Sequence, residues 1–299
     1  MAYVNHAGAP VDPDADFYVE PPEAIGDPLS GYSSLKKSHE PMDGGRRFFW
    51  STLAAAACAG IGFAFGNWID AGATVLFFAG GGLGTIVGVA GTSFGGKLSY
   101  IGTEGYATYS LSGSRQATAK GQICEFAKAE ELRVNTTRHF TNGIYTSTTY
   151  DYSWYDASNR KVFSLNGSYS KKDGPPDDTN HDFYLADGAE VAWTRHYLKR
   201  CLAQLEQGRP VSFNIRSGGI RIDIGQSHFA LTKGSGTEQW SLSDLRGLDV
   251  DKGFVILTSE KFQNSGWLGR LFGSGQIRFQ YDSLPNARVF FLLFEHLLG

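Results

Sequence analysis

The hydrophobic positions of this chain gather in one stretch, Phe48–Gly96, in which the single charged side chain is Asp70. The stretch divides into two apolar runs, 48–66 and 73–95, joined by the short polar connector Asn67–Gly72. A helix rises ~1.5 Å per residue, so about 20 residues cross a hydrocarbon core of ~30 Å. The pattern predicts a transmembrane helical hairpin over residues 46–97. Ahead of it, residues 1–45 carry six carboxylates between Asp12 and Asp27 and five prolines between Pro10 and Pro28. Such a mixture predicts a disordered acidic tail.

After Leu98 the pattern changes to short alternating strands. Leu132–Thr141 and Ile144–Tyr155 flank Asn142-Gly143, a pair suited to the positive φ of a tight hairpin turn. Asn166-Gly167 predicts a second such turn, between Lys161–Leu165 and Ser168–Ser170. Apolar residues at helical spacing predict a helix over Ala189–Gln207, ended by Gly208 and Pro210. A second strand series follows at Val211–Ile215, Ile220–Ile224, Ser227–Thr232, Thr237–Ser241, Phe254–Ser259 and Gln276–Tyr281. Leu284-Pro285 opens a last apolar helix that runs through Leu298. The loop Asn264–Gly275 presents Trp267, Leu268, Leu271 and Phe272, a candidate contact loop for a partner or the membrane.

The order of several strands and then one helix occurs twice, and local text repeats with it. Ile101-Gly102-x-x-x-Tyr106-Ala107 returns as Ile224-Gly225-x-x-x-Phe229-Ala230. This pattern predicts two copies of a small β-barrel or sandwich, each closed by a C-terminal helix, at 98–208 and 209–299. Seven strands capped by a helix resemble the pleckstrin-homology-like (PH-like) architecture. The second half, with Gln239–Leu245 and Leu284-Pro285-Asn286-Ala287, is similar to PH-like domains of bacterial membrane proteins of unknown function. The resemblance implies a cytoplasmic scaffold or sensing role without catalysis. Lipid-binding PH domains set several Lys and Arg on their first two strands. Here the matching regions offer Arg216, Arg221 and Lys233, interrupted by Asp223, and in the first copy Arg115 and Lys120.

Composition sharpens the picture at four points. A net charge of -3 gives no basic stripe of the kind nucleic-acid binders carry. The positive residues Lys36, Lys37, Arg46, Arg47 and Lys97 flank the outer ends of the hairpin. By the positive-inside rule both termini are then cytoplasmic, in a cell (inner) membrane, with anionic headgroups as neighbours of those residues. Gly80, Gly84 and Gly88 form overlapping GxxxG units, answered in the first run by Gly62 and Gly66. These small residues suit helix packing within the hairpin or between copies in a homo-oligomer. Cys58, Cys124 and Cys201 make no CxxC pair, and no HExxH, GxSxG or paired-carboxylate motif appears, so no enzyme, metal or cofactor is implied.

Two motifs dissolve on inspection. Gly91-x4-Gly96-Lys97 has near P-loop spacing, but Leu98 stands where a magnesium-binding hydroxyl is required. Asp177, Asp178, His181 and Asp182 match no metal-ligand spacing. The sequence therefore favours a membrane-bound binding or scaffold module acting on an unidentified protein partner. Its alternatives are a subunit of an oligomeric channel or transporter and an exported β-protein, the latter if Arg46-Arg47-Phe48-Phe49 begins a cleaved signal.

Overall fold

The computed structural model describes residues 4–40, 42–68, 73–91, 94–113, 117–259, 261–262 and 275–298. Four antiparallel sheets and four α-helices make up the described chain. The first unit holds β1 (Pro28–Ser33), β2 (Gly95–Gly102), β3 (Gly105–Ser112) and β4 (Lys120–Glu125) in one sheet, in sequence order. Its second sheet is β5 (Glu131–Thr141), β6 (Ile144–Tyr155) and β7 (Lys161–Tyr169), followed by α3 (Asp182–Glu206). The second unit repeats this order. A four-stranded sheet of β8 (Val211–Ile215), β9 (Ile220–Ile224), β10 (His228–Lys233) and β11 (Gly236–Ser241) precedes a three-stranded one. The latter contains β12 (Gly247–Asp251), β13 (Phe254–Thr258) and β14 (Gln276–Gln280), and α4 (Ala287–Leu298) ends the unit.

The repeated text falls on equivalent hairpins. Ile101 pairs with Tyr106 across β2–β3, and Ile224 pairs with Phe229 across β9–β10. All four side chains are buried, so the short match marks the same core position twice.

The expected disordered tail is instead an ordered strap. β1 pairs antiparallel with β2 from Pro28–Gly102 to Ser33–Leu98, and Ile25 and Leu35 are fully buried. Phe17, Tyr18 and Val19 pack on the outer face of the sheet against Leu98, Tyr100 and Ala107. The Tyr100 hydroxyl donates to the Val19 carbonyl at 2.6 Å. The strap folds because an apolar sheet face awaits it, while its prolines lower the entropy lost on ordering. The first unit consequently begins at β1 and not at residue 98. The two apolar helices, α1 (Gly44–Trp68) and α2 (Ala73–Gly91), are inserted between its first two strands. In the second unit the same junction is the short turn Arg216–Gly219.

Three further expectations need correction. β7 runs unbroken through Asn166-Gly167, which form no turn. Gly167 lies opposite Tyr150, whose ring occupies the space a Cβ would need. By contrast Asn142 and Gly143, at φ of 51° and 80°, do turn the β5–β6 hairpin. α3 starts at Asp182, seven residues before the apolar period begins, because the His181 imidazole accepts from the Phe183 amide and caps it. α4 starts at Ala287, since Asn286 adopts a left-handed φ of 52° just ahead of it.

α3 joins the units. Its first half supplies Leu185, Ala186, Ala189 and Trp193 to the first core, and its second half gives Cys201 and Leu205 to the second core. The junction is fastened by Asn286. Its Oδ1 accepts from the Leu132 amide (2.8 Å) and from the Trp193 indole (2.9 Å). Its Nδ2 donates to the Glu130 carbonyl at 3.0 Å, and its own amide donates to the Leu132 carbonyl at 2.8 Å.

Candidate functional site

Two features invite function: the apolar helix pair and a cleft in the first unit. α1 begins where the Asp43 carboxylate accepts from the Arg46 amide. The segment Gly45–Phe65, 21 residues with mean hydropathy 1.6, is long and apolar enough to cross a membrane. Thr74–Val87 is a shorter apolar helix. The two pack side by side through their small residues. A Cβ on Gly62 would overlap the Leu76 carbonyl, one on Gly80 that of Cys58, and one on Gly84 that of Ala54. Gly66 and Gly88 are described only by their place in α1 and α2. With the glycine face thus occupied, Phe48, Ile61, Val75, Phe78 and Ile86 point outward, each at least 67% exposed. The hydroxyls of Thr52 and Thr85 turn back onto the carbonyls of Phe48 and Gly81 in the preceding turn.

The five flanking cations do not form one patch of bare charge. Lys36 pairs with Asp12 (2.9 Å), Arg46 lies 3.7 Å from Asp43, and Lys97 pairs with Asp182 (2.9 Å). Lys37 donates to the Pro13 carbonyl at 3.0 Å, and Arg47 lies in the first turn of α1. Ser34 and Lys97 continue the β1–β2 ladder toward the helices. Below them Leu35, Phe94 and Leu111 form a small buried cluster at the root of the pair. The contact-loop residues Trp267, Leu268, Leu271 and Phe272 lie outside the described residues, as does Asp70.

The cleft of about 440 Å³ opens between the first sheet, the β6–β7 pair and the start of α3. Cross-strand pairing builds it in rows, because directly paired residues share a face. One row is Lys97–Ser110–Lys120 and the next is Tyr32–Ser99–Thr108–Gln122. A third row on the same face, Ile101–Tyr106–Cys124, already belongs to the core. Tyr150, Leu165 and Leu185 face the rows from the other side, and Asp182 stands at the mouth.

From the strap, His6 reaches the same sheet. Its two ring nitrogens lie 2.8 Å from the hydroxyls of Ser30 and Ser99. Burial, opposed in part by the nearby Asp182 carboxylate, lowers its pKa to about 4, so the ring is neutral at physiological pH. Burial also raises the Tyr150 phenol to about 12, which keeps it a hydrogen-bond donor. The arrangement can hold a polar or anionic group, with ammonium ions at the mouth and hydroxyls within. Sequence reasoning missed this cleft because β1 lay in the segment read as a tail. The contiguous apolar run at Tyr100-Ile101 and Tyr106-Ala107 was the available signal that both sheet faces are covered.

No protein-family model matches the chain, and no curated protein is significantly similar to it.

Proposed function

We propose that this chain is an integral membrane protein whose α1–α2 hairpin anchors two PH-like units at the cytoplasmic face. There the units act as a non-catalytic binding and scaffold module. The observation that carries the reading is the outward-facing surface of α1 and α2. Side chains such as Phe48 and Phe78, 75% and 71% exposed, would cost about 1.5–3 kcal/mol each if held in water. A bilayer removes that cost, and both helices satisfy their backbone hydrogen bonds internally. The twofold occurrence of four strands, three strands and a helix supports the PH-like reading. Anionic headgroups near Arg46 and Arg47 add about 1 kcal/mol of attraction per basic residue.

The test is excision. Replacing residues 41–93 by the second unit's own turn, Ser217-Gly218-Gly219, should give a soluble protein. The full chain should stay with membranes through alkaline carbonate washing. A full chain that washes off would overturn the anchor.

A further inference from the structure

The two units present the same frame with opposite interiors. Aligned through the equivalent pairs Ile101–Tyr106 and Ile224–Phe229, four inward positions of the second unit are Phe213, Ile220, Ile222 and Leu231. All four are buried. The corresponding residues of the first unit are Tyr32, Lys97, Ser99 and Thr108, and they line the open cleft in place of a packed core. Exchanging four core side chains for hydroxyls and an ammonium sacrifices hydrophobic stabilisation that the sister unit keeps. Local departures of this kind from a fold's own packing rule mark functional sites.

We infer that the cleft of the first unit is a binding site for a small monoanionic polyol, of which a polyol phosphodiester is the type. The charge follows from the mouth, where Lys97 and Lys120 stand against the single carboxylate of Asp182, a balance of one positive charge. The polyol character follows from the hydroxyls of Tyr32, Ser99 and Thr108 within. The size follows from the volume. A cleft of about 440 Å³ falls in the range of small-molecule sites. That is room for a headgroup with its glycerol. His6 holds the Ser99 hydroxyl in place from outside the cleft.

This inference deepens the proposed binding role and rests on it. Its chemistry is shared by the headgroup of an acidic lipid and by a free glycerophosphodiester, and the experiment separates the two. The full chain is placed in phosphatidylcholine nanodiscs, and acetylation of Lys97 and Lys120 is followed by mass spectrometry, with Lys128 and Lys172 as internal references. One arm adds glycerophosphoglycerol, a second replaces part of the lipid with phosphatidylglycerol, and a third adds inorganic phosphate.

Saturable protection of Lys97 and Lys120 in the first or second arm supports the site and names its source. Lys120→Gln should weaken that protection at Lys97 by about tenfold, the worth of one charge-assisted hydrogen bond. Thr108→Leu, which copies Leu231 of the second unit, should abolish it while keeping the melting temperature at or above that of the wild type. Equal protection by inorganic phosphate would overturn the polyol assignment, and no protection in any arm would overturn the site. Co-elution with the nanodisc reports the anchor separately, so a failed site and a failed anchor give different results.

Discussion

Asn286 is the residue on which the joint between the units depends most. It is buried, it sits at positive φ, and its side chain serves two donors and one acceptor at once. Asn286→Ala leaves the Leu132 amide and the Trp193 indole buried without partners, at about 2–4 kcal/mol. Thermal unfolding should show a loss of roughly 5–10 °C. Glu190 makes a pH prediction. Burial raises its pKa to about 7; Arg288, 3.9 Å away, opposes the shift and Asp187 adds to it. Between pH 4.5 and about 7 the unfolded chain loses this proton while the folded chain keeps it. Stability therefore falls as pH rises through that window, by roughly 3 kcal/mol at most. Glu190→Gln should flatten the fall, which melting curves at pH 5 and pH 8 would reveal. His6 acts with the opposite sign. Its folded pKa lies below the usual 6.5, so its contribution is present above pH 6.5 and is lost as pH drops toward 4. None of these three roles is visible in sequence, because each depends on partners more than 90 positions away or on burial by another element.

At the scale of elements, the helix pair illustrates what local pattern can and cannot say. Two apolar runs with GxxxG spacing foretold close helix packing, and Gly62, Gly80 and Gly84 do meet opposing backbone carbonyls. Gly84→Leu should separate α1 from α2, seen as lost cysteine crosslinking between the helices and a lower melting temperature in detergent. Unchanged crosslinking would refute that packing. Asn-Gly was legible once and misleading once. Asn142-Gly143 turns because the flanking strands pair with each other, whereas Gly167 is small to admit Tyr150. Gly167→Val should therefore destabilise the first unit by about 1–3 kcal/mol through overpacking. β12 went unread because Gly247–Asp251 has only two apolar residues and stands at the edge of its sheet.

The whole molecule is a repeat interrupted by an insertion. The repeat was legible because seven residues at one core hairpin kept their spacing. The insertion was not, because β1 lies before the helices and its partner β2 after them, a pairing that no local window contains. Placing both helices between adjacent paired strands has a consequence for topology. With the hairpin in a bilayer as proposed, β1 and β2 leave and rejoin it on the same side, which puts the strap and both units in one compartment. Single-cysteine labelling from outside intact cells tests this most directly, at positions 27, 70 and 173 in a chain without its native cysteines. Positions 27 and 173 lie on exposed surface of the strap and of the loop before α3. Labelling is expected at position 70 alone. Labelling at 173 would contradict it, placing the β units outside the cell.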